Sequence, residues 1–153
     1  IEGPLGRFIY QGGSEPAIFI AGGTGFAPIK AMLAQALGQA LAGAPRDLHF
    51  YWGARDVAGL YEEELVRGWA SRCARLEVHT VLSAAAAGGP HRAGWVHEAV
   101  LQDHPSLAPF AIYAAGPPAM IAAIESTFPA QGARPQQLYL ESFDYAAAVI
   151  PAA

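Results

Sequence analysis

One cysteine, Cys73, in a chain of 153 residues rules out an internal disulfide, and equally an iron–sulfur cluster held by this chain alone. A reducing compartment is the simplest setting, and the protein is expected to be cytoplasmic. Basic residues are scarce: nine Lys and Arg stand against thirteen Asp and Glu, for a formal net charge of −4, with no basic cluster or stripe. Neutralisation of a phosphate backbone has no footing in such a chain, so nucleic acid is not an expected partner. Long apolar runs are missing too. None nears the roughly 18 residues that cross a bilayer, so no membrane partner is expected. Short apolar segments are plentiful, and 53% of the residues are hydrophobic. A single domain of this size buries about two-thirds of the surface its unfolded chain exposes.

Strand-like runs alternate with helix-like stretches. The strands are expected at Ala17 to Ala21, Asp47 to Trp52, Leu76 to Leu82, Phe110 to Ala115 and Leu138 to Ser142; the helices at Pro28 to Leu41, Glu62 to Ser71, Val96 to His104 and Pro117 to Phe128. This alternation is the signature of a parallel sheet. Ile18-Phe19-Ile20 and Ala111-Ile112-Tyr113 are apolar on successive residues, as where helices cover both faces. The expected fold is α/β, a doubly wound parallel sheet of about five strands, Rossmann-like. Ser83 to Gly94, with Ala84-Ala85-Ala86-Ala87-Gly88-Gly89-Pro90, predicts a surface loop. Residues 1–14, rich in glycine, are too short for a sheet element and read as the end of a preceding unit and a linker; the domain proper is expected over 15–153.

Ligands of doubly wound sheets bind outside the carboxyl ends of the strands. The unusual loops of this chain fall there. After the first strand comes Gly22-Gly23-Thr24-Gly25-Phe26-Ala27-Pro28. Its glycines let backbone approach a phosphate, and Pro28 is expected at the first helical position, where a missing N–H costs nothing. The segment is neither the fingerprint G-x-G-x-x-G/A nor a Walker loop. Gly53-Ala54-Arg55-Asp56 follows the second strand, with Tyr61 beyond, and Gly116-Pro117-Pro118-Ala119-Met120 follows the fourth. Two glycine turns on one crevice suit the two halves of a dinucleotide. Asp56 can accept from a ribose 2′-hydroxyl and Arg55 can pair a 2′-phosphate, so position alone does not choose between NADH and NADPH.

Other chemistries find little support. His49, His79, His91, His97 and His104 lack metal-binding spacing such as His-Glu-x-x-His, and no metal is expected. No nucleophile elbow G-x-S-x-G occurs.

With these residues assembled, the chain resembles the pyridine-nucleotide domain of the ferredoxin–NADP reductase superfamily. The likeness is greatest to the NADH-dependent reductase components of bacterial oxygenases, such as those of phenol hydroxylase and methane monooxygenase, and to CDP-6-deoxy-glucoseen reductase. Ala21 to Lys30 matches the pyrophosphate loop of that family, and Tyr51-Trp52-Gly53-Ala54-Arg55 with Leu60-Tyr61 and Glu64-Leu65 its ribose and adenine region. Gly94-Trp95-Val96-His97-Glu98-Ala99-Val100 resembles the loop before its fourth strand, and Tyr113 to Met120 the signature beside the nicotinamide.

The resemblance carries further implications. Gly22, Gly23, Thr24, Gly25 and Pro28 would serve the pyrophosphate; Gly53, Arg55, Asp56, Tyr61 and Ser83 the ribose and adenine; Gly116, Pro117, Pro118 and Met120 the nicotinamide. Ala115 stands where the family has a cysteine near the reacting nicotinamide carbon, which implies slower hydride transfer without a change of reaction class. Glu141 and Phe143 resemble the acidic-x-aromatic end that approaches the flavin. Ser83 is followed by Ala84, not by the arginine of NADPH-using relatives, which points to NADH. Gly3-Pro4-Leu5-Gly6-Arg7-Phe8 would close a preceding flavin barrel. FAD would then belong to a neighbouring FAD-binding domain, with a [2Fe–2S] cluster in some relatives and a ferredoxin-type or oxygenase electron acceptor as partner. The implied function is hydride transfer from NADH to FAD within an NAD(P)H-dependent flavin oxidoreductase, the isolated domain being inactive. A non-catalytic nucleotide-binding or subunit-docking module is the alternative, kept open by Ala115, and a flavodoxin-like FMN domain shares the expected sheet.

Overall fold

Each apolar run singled out above forms a strand of one parallel sheet in the computed structural model, which describes residues 9–43, 46–85, 89 and 91–143. The strands are β1 (Ala17–Gly22), β2 (Leu48–Ala54), β3 (Leu76–Leu82), β4 (Arg92–Ala93), β5 (Ala111–Gly116) and β6 (Leu138–Ser142). The helices are α1 (Phe26–Leu41), α2 (Glu63–Arg72), α3 (Val96–Asp103) and α4 (Pro118–Thr127). The order across the sheet is β4-β3-β2-β1-β5-β6, every pair parallel. Among the described residues no helix is long and apolar enough to cross a membrane.

Two expectations need correction. The sheet has six strands, because Arg92 and Ala93, inside the segment expected as loop, pair with Val81 and Leu82. A two-residue strand carries no alternation to read. Pro28 is the third residue of α1, not the first, since the 3-10 turn Gly23–Gly25 runs straight into a helix that starts at Phe26. Its missing N–H still costs nothing, because the first four N–H groups of a helix have no partner within it. The expected barrel-closing segment at Gly3 to Phe8 lies outside the described residues, as does the side chain of Thr24.

Alternation along the strands splits the core in two. Ala17, Phe19 and Ala21 of β1 join Phe26, Ile29 and Leu33 of α1 on one face. Ile18 and Ile20 join Val96, Val100, Ile121 and Ile124 of α3 and α4 on the other. β1 and β5 are buried along their whole length, which explains their unbroken apolar sequence. On the α1 face the rings of Phe26 and Trp52 stack at 4.3 Å, and those of Phe19 and Tyr113 at 5.2 Å.

The residues ahead of β1 are tied down. Arg46, only 3% exposed, donates from Nη1 to the Tyr10 hydroxyl at 2.6 Å and to the Gln11 carbonyl at 2.9 Å. The Tyr113 hydroxyl accepts from the Gln11 N–H at 2.8 Å and donates to the Gln11 carbonyl at 3.1 Å. Burial pushes that phenol up to about 12, so it stays a donor at neutral pH. On the opposite face Asp103, at the end of α3, accepts from Arg92 at 2.9 Å and from the Tyr51 hydroxyl at 2.7 Å. The Arg92 hydrogen bond, outweighing partial burial, holds the Asp103 carboxyl below its ordinary value.

Three substitutions test this packing. A Cβ at Gly25 would lie 1.9 Å from the Ala115 carbonyl oxygen, a backbone atom that has no rotamer to escape into. Gly25→Ala should therefore lose about 3 kcal/mol or more in urea unfolding. Gly38→Ala, at an exposed site on α1 with nothing near the new methyl, should gain up to about 1 kcal/mol. Asp103→Asn should cost about 1–2 kcal/mol at neutral pH. Because the folded-state value is depressed, the carboxylate stabilises above the unfolded aspartate value of about 3.9 and ceases to as the pH falls through the lower folded value. Urea midpoints of wild type and variant should thus converge in acid; a constant gap would contradict a stabilising role for the Asp103 carboxylate.

Candidate functional site

Strand order reverses at β1. The chain moves outward through β2, β3 and β4, then returns to lay β5 on the other side, so the loops leaving β1 and β5 diverge. A crevice opens where such loops part. A cavity of about 610 Å³ lies there, within the range of about 300–1,000 Å³ usual for small-molecule sites.

Its shape is set by glycines that leave room for neighbours. A Cβ on Gly22 would meet the Met120 sulfur at 2.6 Å, and one on Gly116 the Met120 methyl at 2.6 Å. Met120 therefore seats against both turns and closes the gap between β1 and β5. A Cβ on Gly53 would meet the Val96 Cβ at 2.8 Å, so α3 can start hard against the end of β2. Gly23 has φ +55, the left-handed conformation that turns the chain from β1 into the 3-10 turn.

The electrostatics favour an anion. Among the described residues lining the cavity none is Asp or Glu and Arg55 is the charged side chain, while Glu98 lies in the first turn of α3 outside the lining. The starts of α3 and α4 both border it, through Trp95, Val96 and His97 and through Pro117, Ala119 and Met120. Neither start carries a side-chain cap, and the first-turn N–H groups of α3 have no side-chain partner. α4 opens on Pro118 and its Met120 N–H donates to the Pro117 carbonyl, which leaves that of Ala119. The positive ends of two helix dipoles thus border the cavity. Two aromatic rings flank the opening: Trp95, 60% exposed, and Tyr61, held edge-on to Phe26 at 5.4 Å.

Of the residues named from sequence, Gly22, Gly23, Gly53, Arg55, Tyr61, Ser83, Pro117 and Met120 line this one cavity. Asp56 does not; it is exposed and precedes the 3-10 turn Val57–Gly59. Gly25 and Pro28 lie behind the lining, the former against β5. Pro118 opens α4 and is exposed without reaching the cavity. Ala115 is wholly buried under the loop, paired with Ala21 and Glu141. Glu141 and Phe143 gather at this same end of β6, where the Phe143 N–H donates to the Gly116 carbonyl at 2.8 Å. Trp95 and His97 were given no individual role by the sequence, yet both line the cavity. Their signal was position: they bracket a helix start directly after Gly94, whose φ is +123.

Residues 19–126 match the family model described as oxidoreductase NAD-binding domain. The chain is 34% identical over 143 residues to the CDP-6-deoxy-L-threo-D-glycero-4-hexulose-3-dehydrase reductase of Yersinia pestis, covering 94% of this chain and 42% of that protein. It is 31% identical to the ferredoxin–NAD(P)(+) reductase component of the naphthalene 1,2-dioxygenase/salicylate 5-hydroxylase systems of Ralstonia sp., covering 94% and 43%. Among solved structures, the Amycolatopsis cytochrome P450 reductase GcoB superposes with a TM-score of 0.77 at 29% identity, over 84% of this chain and 38% of that one. The chain thus spans about two-fifths of the length of the relatives it matches. With the match running from β1 to the last turns of α4, the chain belongs to the oxidoreductase NAD-binding domain family, among proteins of the ferredoxin reductase type.

Proposed function

We propose that this chain is the pyridine-nucleotide domain of a flavin-dependent NADH oxidoreductase that passes hydride from NADH to FAD and electrons onward to an iron–sulfur or oxygenase partner. One observation carries the reading: a crevice at the point of strand reversal whose described lining holds no carboxylate, bordered by two uncapped helix starts and shaped by glycine turns. An extended dinucleotide matches that layout. Its pyrophosphate meets backbone N–H groups around Gly22, Gly23, Thr24 and Gly25, which need no side chain to bind an anion. Gly53, Arg55, Tyr61 and Ser83 form the ribose and adenine end, with Asp56 at its outer margin. Gly116 to Met120 hold the nicotinamide side, directed toward Ala115, Glu141 and Phe143.

FAD, when bound, supplies the exchange between two-electron and one-electron transfer. The described residues fit it only at an edge: the half-buried Phe143 ring beside the end of β5 offers a stacking surface. A partner FAD-binding domain of the same protein would have to provide the rest. This chain's part is orientation, fixed by the turn that Met120 locks between Gly22 and Gly116. The oxygenase reductase component among its relatives supports a ferredoxin-type or oxygenase acceptor.

The intact protein mixed with NADH in stopped flow should show its flavin bleaching within seconds. Flavin that stays oxidised for minutes while nucleotide binds would make the domain a docking module instead. The chain alone should bind NADH yet reduce no dye, and at least about tenfold more weakly bind NADPH, whose 2′-phosphate finds Ala84 in place of a second arginine. Tighter binding of NADPH, lost in Arg55→Gln, would overturn the preference for NADH.

A further inference from the structure

Three potential metal-ligating side chains converge on the sheet face turned toward α3, and none of them lines the cavity. β2 and β3 run in register with His49 opposite Glu77 and Tyr51 opposite His79. Alternation puts all four on one face. His49 Nδ1 and His79 Nε2 each lie 3.4 Å from the same Glu77 oxygen, and the three donor atoms fall within 4.8 Å of one another.

That separation is too long for a charge-assisted hydrogen bond, which closes to about 2.7–2.9 Å. It matches the edge of a tetrahedron whose bonds to the central ion are about 2.0–2.1 Å, the zinc distances to imidazole and carboxylate. Both nitrogens are buried and have no hydrogen-bond partner. An unpartnered buried nitrogen is costly, and two of them facing one carboxylate need a common explanation. A cation among the three satisfies both at once and neutralises the carboxylate.

The rings are held in place. His79 stacks on Tyr51 at 4.4 Å, and Tyr51 is itself anchored through its hydroxyl to Asp103 at 2.7 Å. His49 stands edge-on to His104 at 5.0 Å and to Phe110 at 5.8 Å. His104 Nε2 is engaged with the Tyr51 hydroxyl at 3.0 Å and does not compete as a ligand. Glu77 is the exposed member, its side chain 61% accessible, which opens the carboxylate side of the cluster to solvent.

We propose that His49, Glu77 and His79 form a binding site for Zn²⁺, with water as fourth ligand, cross-linking β2 to β3. Two imidazoles and one carboxylate suit zinc and its first-row neighbours, whereas Ca²⁺ and Mg²⁺ require oxygen-rich shells. The site is independent of nucleotide binding.

Tag-free chain titrated with Co²⁺ as a visible probe, and then with Zn²⁺ by calorimetry, tests this. One ion per chain should bind with micromolar or tighter affinity, Zn²⁺ should displace Co²⁺ and its tetrahedral d–d absorption, and Zn²⁺ should raise the melting temperature. Glu77→Gln and His79→Gln should each weaken binding at least about tenfold and abolish the melting shift, while His91→Gln, outside the cluster, leaves both intact. Glu77→Gln alters an exposed side chain, so its metal-free melting temperature should match wild type and separates lost ligation from lost fold. Absence of saturable binding, or affinity that survives in either ligand variant, overturns the site.

Discussion

The molecule turns on how closely two strand ends can approach without side chains between them. Gly25 rests on the Ala115 carbonyl, and Gly22 and Gly116 both accommodate Met120. These contacts fix the spacing of β1 and β5 at the place where strand order reverses. The starts of α1 and α4 take their position from that spacing, as the start of α3 does from Gly53 against Val96. α1 can begin at Phe26 because the turn before it is packed against β5, and α4 can begin at Pro118 because its third residue fills the gap. A larger residue at Gly25 would displace a strand, since the obstructing atom is backbone.

The same economy explains why the crevice suits an anion without a basic cluster. Charge comes from the starts of α3 and α4, which have no side-chain caps, and, among the described lining residues, from Arg55. Helix ends provide partial charges that are held rigidly and cost no side-chain entropy to order. A net charge of −4 and an anion site are therefore compatible.

The sheet was largely legible because β1 and β5 are buried on both faces, so their apolar runs have no competing explanation. The glycine turns were legible as turns. Their physical reasons were not. The sequence could suggest that glycines approach a phosphate, but it could not reveal that Gly53 yields to Val96 or that Gly25 abuts Ala115, since both contacts cross between elements. The start of α1 was misread by two residues because proline at a helix beginning is equally tolerable throughout the first turn. Tyr10 and Arg46 were missed for a similar reason: an arginine in a polar connection gives no sign that it will be buried against a tyrosine thirty-six positions away.

The histidine cluster shows the limit most sharply. Metal motifs on helices announce themselves by spacings of three or four, because those residues share a face. On a sheet the partners are a residue two places along the strand and one opposite it, and the latter depends on register. Glu77-x-His79 alone is an ordinary strand alternation, and His49 joins it only because β2 pairs with β3 at that offset. A shift of one residue in register would send His49 to the opposite face and leave the carboxylate with a single imidazole. The register is held by burial of Phe50 and Trp52 on the α1 side and Tyr51 on the α3 side. The aromatic core that supports the crevice thus also determines whether these three ligands meet.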